Sequence, residues 1–158
     1  IAKGPQILIG SSMGGWLMML AAKARPQRIK GMIGLAAAQD FGKDLYNILN
    51  KKNKKEINTK GITKYTSYGF SYYLTKKFFI EAEKNRVLKK PFRFTKPLVL
   101  IHGLKDNVVK EDVPRKILKK VTGKNVNIIY IKESDHRLSY DTDLKMITES
   151  IDYIRKTK

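Results

Sequence analysis

Apolar and polar positions along the chain change period several times, and each change marks an element. Gln6 to Gly10 is a short apolar run of strand length, ended by a glycine. From Met13 to about Ala24 the apolar residues Trp16, Leu17, Leu20 and Ala24 recur at helical spacing. Arg25-Pro26 stops that pattern, because proline lacks the amide hydrogen a continuing helix needs. Lys30 to Ala38, with Met32, Ile33 and Leu35 among small residues, predicts a second buried strand whose end reaches Asp40. A helix lying between two such strands predicts that they pair in parallel, since parallel neighbours need a crossover.

The pattern then shifts. From Phe41 to Phe94 it offers helical pieces and loops rich in lysine, asparagine and aromatics, including Tyr65, Tyr68, Phe70, Tyr72, Tyr73, Phe78 and Phe79. This predicts a helical cap inserted over about residues 41–94, with its strongest helix from Ser71 to Lys89 and an aromatic stripe facing inward. The stripe reads equally well as core packing and as a surface for an acyl chain. Leu98-Val99-Leu100-Ile101 is an uninterrupted apolar strand running into His102-Gly103-Leu104-Lys105-Asp106. Glu111 to Val121 is helix-like, and Val126 to Ile131 is a final strand followed by the loop Lys132 to Arg137. Thr142 or Asp143 caps a last helix running to about Lys156. Four strands alternating with helices define an α/β fold with a largely parallel sheet flanked by helices. No internal repeat or low-complexity linker interrupts it, so residues 1–158 read as one domain carrying the insertion.

Composition narrows the chemistry. The apolar share of 42% over 158 residues is that of a soluble globular protein, and no apolar run is long enough to span a bilayer. No leader is visible, and the expected location is cytoplasmic. With no cysteine and only His102 and His136 as nitrogen ligands, neither a disulfide framework nor a structural metal site is expected, and no cofactor is implied. The net charge of +19 raises a basic nucleic-acid-binding module as a lesser alternative. Against it, lysine supplies 26 of the 33 basic residues and is spread along the chain, whereas phosphate and base recognition favours the planar fork of arginine. The densest run, Lys51-Lys52-Asn53-Lys54-Lys55, has no interleaved aromatics for base stacking and is expected to be a solvated loop.

Against this background one pentapeptide stands out. Gly10-Ser11-Ser12-Met13-Gly14 joins the first strand to the first helix, the G-x-S-x-G arrangement in which a sharp turn lifts a serine hydroxyl above a parallel sheet. Side chains at Gly10 and Gly14 would crowd that turn, and Gly15 lets the helix approach the sheet. A serine hydroxyl needs a base to accept its proton, and the base needs a carboxylate to fix its tautomer. Ser12, Asp106 and His136 each fall just beyond the C-terminal end of a predicted strand, where parallel sheets gather reactive groups. Asp40 is the rival acid, and His102, placed before the Gly103 turn, is expected to be structural. The backbone N–H of Met13, at the positive end of the first helix, is placed to receive a developing oxyanion. A second donor cannot be assigned within this chain.

With Gly10-Ser11-Ser12-Met13-Gly14 as elbow, His102 to Asp106 as acid loop and Ser134-Asp135-His136 as base loop, the chain resembles the α/β-hydrolase superfamily. More narrowly, Gly10 to Met18, Ala24-Arg25-Pro26 and Asp135-His136-Arg137-Leu138-Ser139 resemble the bacterial relatives of the mitochondrial palmitoyl-protein thioesterase and acyl-glucuronide esterase. The resemblance spans nearly the whole chain. It implies that the strands here are the fifth to eighth of the family's sheet, with the first four and the remaining oxyanion donor upstream of Ile1. The domain is then expected to be incomplete, the strand at Ile7 an open edge suited to association with another chain.

The leading expectation is a serine hydrolase of carboxylic esters or thioesters, working through Ser12, His136 and Asp106 and an acyl-enzyme. Its substrate would be a small-molecule or acylated-protein ester or thioester. The alternative is an inactive or split-gene fragment that needs a complementing N-terminal half as partner.

Overall fold

The computed structural model describes residues 3–67 and 69–157; of the aromatics named above, Tyr68 lies outside them. They fall into two compact units, one formed by the chain up to Gln39 and from Val87 onward, the other by Asp40–Arg86.

In the first unit, strands β1 (Gln6–Ser11), β2 (Ile29–Leu35), β5 (Leu98–Gly103) and β6 (Val126–Ile131) form one sheet in the order β1-β2-β5-β6. Every pairing is parallel, with Gly10 opposite Gly34, Leu35 opposite Ile101 and Gly103 opposite Ile131. Helices α1 (Met13–Ala24), α5 (Val113–Lys120) and α6 (Asp141–Lys156) supply the flanking layers. Central strand β5 is buried along its whole length, which its unbroken apolar run requires of a strand covered on both faces. Alternate residues of β2 serve the two layers. Ile33 joins Val99, Ile101, Leu138 and Ile154 in a core closed by Met146, Ile147 and Ile151 of α6. Gly34 points the other way, where a Cβ would press on Leu100 and Ala37 and touch Met18 of α1.

Such a sheet places all four strand ends on one side. The C-terminal ends of β1, β5 and β6 therefore deliver the residues after them to a common rim. β1 and β6 are the sheet's edges, and near the first Ile9, Met13 and Leu17 remain 47%, 47% and 53% exposed. Among the described residues, no helix is long and apolar enough to cross a membrane.

The second unit departs from the expected helical cap. It holds helices α2 (Gly42–Ile48), α3 (Lys51–Lys60) and α4 (Lys76–Lys84), and also an antiparallel hairpin of β3 (Ile62–Ser67) and β4 (Phe70–Thr75). The helix expected from Ser71 is thus a strand up to Thr75, where the Thr75 hydroxyl caps α4 by accepting the Phe78 N–H at 3.0 Å. Tyr72-Tyr73-Leu74-Thr75 is rich in residues that favour a pleated surface, and a partner strand was available. Leu74 packs on Leu49 and Ile57, and Tyr65 meets Tyr72 edge-on across the hairpin at 5.5 Å between ring centroids. The lysine run expected as a loop opens helix α3 instead. Asn50 caps it by accepting the Asn53 N–H, lysines have good helix propensity, and only Ile57 of the helix is buried, so the charges stay in water. The unit also ends at Arg86, short of 94, because Phe92 joins the first unit through hydrogen bonds with Lys120 and Thr122.

Candidate active site

Ser12 follows the last residue of β1 and precedes the first of α1. The reversal gives it φ 51° and ψ −119°, a conformation that costs a residue with a Cβ about 1–3 kcal/mol. Three backbone hydrogen bonds hold it there. Its N–H donates to the Leu35 carbonyl at 2.9 Å, and its carbonyl accepts from Gly15 at 3.0 Å and Ala38 at 2.9 Å. The crossing is tight at Gly10, where a Cβ would lie 2.6 Å from the carbonyl carbon of Gly14 and 2.7 Å from the Gly15 nitrogen. Gly14 corrects the sequence reading: a Cβ there meets nothing within 4 Å, so the turn's steric demand falls on Gly10 alone of the two. Gly15 lies against the loop that follows β2, with Ala37 in the place its side chain would take.

Asp106 sits at the turn beyond β5 with its side chain fully buried. One carboxylate oxygen accepts from the N–H groups of Val108 at 2.8 Å and Val109 at 2.9 Å. The other faces His136 Nδ1 at 2.9 Å. A nitrogen donating to a carboxylate must carry the proton, which leaves His136 Nε2 with a lone pair, 3.1 Å from Ser12 Oγ. The imidazole is 23% exposed. The structure thus brings Ser12, His136 and Asp106, from three strand ends, into one chain of hydrogen bonds.

Of the rivals, Asp40 has its carboxylate 3.7 Å from Arg86 Nε, within the second unit. His102 is fully buried on β5, its Nε2–H donating to the Val109 carbonyl at 3.1 Å and lying 3.8 Å from Asp106. Burial holds its pKa below the ordinary histidine value, against the opposing pull of Asp106, so it stays neutral and braces the acid loop. Met13 is the first residue of α1, whose opening N–H groups have no partner within the helix.

The acid and base loops are laced together. Leu104 N–H donates to Ile131 and Lys105 N–H to Ser134, each at 2.9 Å, and the Lys105 and Glu133 side chains pair above them. Gly103 makes the approach possible, since a Cβ would overlap the backbone of Ser134. Beyond the histidine, Leu138 turns into the core with φ 50°. Helix α6 is capped two residues before Thr142 and three before Asp143, the expected caps. Tyr140 stands at the N-cap and its N–H donates to Asp143 at 3.0 Å, while Asp143 also accepts from the Ser134 hydroxyl. The sequence named Ser134 and Leu138 only as members of the base loop and gave neither their anchoring roles nor the second role of Asp143. The spacing of Asp143 within the first turn of a helix was the one available signal.

Comparison with known proteins fits this architecture. The mitochondrial palmitoyl-protein thioesterase ABHD10 of Homo sapiens is 38% identical over 156 residues, which cover 96% of this chain and 51% of that protein. The structure of the mouse alpha/beta hydrolase domain-containing protein 10 superposes with a TM-score of 0.84 at 35% identity, over 98% of this chain and 63% of that one. A protein of Agrobacterium vitis described as a hydrolase gives the same score at 27% identity, over 94% of this chain and 60% of its own. The chain therefore spans about half the length of the curated relatives it matches. The model of the prolyl oligopeptidase family matches residues 6–157, so the chain belongs to that family of α/β-hydrolases.

Proposed function

We propose that this chain carries the nucleophile, base and acid of a serine hydrolase acting on carboxylic esters or thioesters. The observation that carries the reading is the unbroken relay from Ser12 Oγ through the His136 imidazole to Asp106, at 3.1 and 2.9 Å. In the reaction Ser12 Oγ attacks the acyl carbonyl while His136 Nε2 takes its proton. Asp106 steadies the resulting imidazolium and keeps it in register. The oxyanion draws on the Met13 N–H at the positive end of α1. The imidazolium returns its proton to the departing alcohol or thiol, leaving an ester on Ser12. Water activated by His136 then releases the acid. A relative named for palmitoyl-protein cleavage makes long-chain acyl thioesters, small or protein-borne, the substrates to try first. A fluorophosphonate should label Ser12, and Ser12→Ala should abolish both labelling and ester hydrolysis; labelling that persists in that variant would remove Ser12 from its role.

A second reading is favoured by one observation, the exposure of Ile9, Met13 and Leu17 beside the unpaired edge of β1. In that reading the chain is inactive until a complementing N-terminal half covers this edge and adds the missing oxyanion donor. Purification of the chain alone separates the two. A monomer that unfolds cooperatively and hydrolyses esters rules the second out, whereas an associating, inactive chain supports it.

A further inference from the structure

We infer that Asp143 and Ser134 form a buried positioning pair that holds His136 in register for proton transfer, an inference that rests on the proposed role of His136. Neither residue is needed for the chemistry, and both are shut away from water: Asp143 is 0% and Ser134 1% exposed. A carboxylate is rarely fully buried unless its charge is answered. Here one oxygen accepts from the Ser134 hydroxyl and the other from the Tyr140 N–H at 3.0 Å. Asp143 also stands in the first turn of α6, where unpaired N–H groups favour negative charge.

The pair acts on the loop between β6 and α6, which has no regular structure of its own. Ser134 lies two residues before His136 and Leu138 two residues after it. The hydroxyl of Ser134 is tied to α6 through Asp143, and its carbonyl is tied to the acid loop through Lys105 N–H at 2.9 Å. Leu138 is 2% exposed and locked in the core in a left-handed backbone conformation. His136 is thereby bracketed by two fixed points, and the Ser134 point belongs at once to α6, to the base loop and to the loop of Asp106. Releasing it lets the imidazole drift from both partners, and a displacement of about 1 Å at a reacting group reduces rates on the order of 100-fold.

The test uses the whole chain with Ser134→Ala, Asp143→Ala and Asp143→Asn. The amide of Asp143→Asn can still donate to Ser134 Oγ while accepting from Tyr140, and so serves as the conservative variant. Two readouts are taken: kcat and KM for p-nitrophenyl butyrate per fluorophosphonate-titrated site, and the downfield NMR resonance of the His136 Nδ1 proton. Expected are a 10- to 100-fold fall in kcat at nearly constant KM and loss of that resonance in both alanine variants, with substantial recovery in Asp143→Asn. Should Ser134→Ala fail to fold, Ser134→Cys fills the same space with a weaker donor and carries the same readouts. A kcat per titrated site within twofold of the parent, with the resonance retained, overturns the proposal. If instead the parent chain is neither labelled nor active, the hydrolase reading is what fails, and the resonance alone decides whether the pair positions His136.

Discussion

Replacing Asp106 by asparagine changes one oxygen to nitrogen, yet the hydrogen bonds around it dictate which oxygen is lost. One carboxylate oxygen accepts from both Val108 and Val109 N–H, while the other faces His136 Nδ1. An amide has a single acceptor. Placing its NH2 against two backbone N–H groups would forfeit both hydrogen bonds to a buried side chain, at about 1–3 kcal/mol each. The amide therefore keeps its oxygen on the backbone and turns its NH2 toward His136. Nδ1 must then accept, the proton moves to Nε2, and the nitrogen 3.1 Å from Ser12 Oγ becomes a donor that cannot take the hydroxyl proton. A wrong tautomer in such a relay lowers kcat by about 10⁴, which is roughly 5 kcal/mol of transition-state stabilisation. KM should change little and the fold should persist. Asp106→Ala, by contrast, orphans both backbone donors and should lose about 1–3 kcal/mol more stability than Asp106→Asn. The assay is kcat and KM for ester hydrolysis with the rate of fluorophosphonate labelling, and urea midpoints measured in parallel. An asparagine variant within tenfold of the parent would refute the tautomer argument. One as unstable as the alanine variant would refute the assignment of the retained backbone bonds.

Two further outcomes follow from the same geometry. Gly10→Ala should cost about 1–3 kcal/mol or more and displace Ser12, because its methyl group meets the backbone of the first turn of α1; Gly14→Ala, with open space at that position, should be neutral or stabilising by up to about 1 kcal/mol. Equal urea midpoints for the two would show that the turn is not crowded where the structure places the crowding. For His102, burial depresses the pKa below 6.5, so between the folded value and 6.5 the unfolded chain binds a proton that the folded chain does not. Stability should therefore rise with pH through that window and fall on acidification below about 6.5, and His102→Gln, which keeps a donor for the Val109 carbonyl, should flatten that slope. Unfolding midpoints that fall equally steeply with acid in both proteins would contradict this.

The succession of strands and helices along the first unit and the placing of Ser12, Asp106 and His136 at strand ends were legible because each depends on local signals. Apolar runs of strand length, a helical period closed by Arg25-Pro26 and glycine-rich turns are properties of neighbouring residues. Chain order then carried Ser12, Asp106 and His136 to one rim, since a parallel sheet has all its C-terminal ends on the same side. The second unit was less legible. Its residues 71–75 hold aromatics that suit one stripe of a helix or one strand of a hairpin, and the choice fell to pairing with Ile62–Ser67, a contact no local window contains. The lysines from 51 to 55 misled in the opposite direction, because charge reports exposure and says nothing against a solvated helix.

By itself, then, the sequence determined the fold class, the elbow and the identities of the three side chains that meet at the rim. Tertiary structure alone decided that Gly10 rather than Gly14 is the crowded glycine, that a neutral His102 braces the acid loop, and that a buried Ser134–Asp143 pair ties the base loop to α6. Periodicity and turn chemistry act over a few residues and leave a mark in the sequence. The spacing of loops packed against each other is set by contacts between residues far apart in the chain, and only the folded backbone fixes which of them meet.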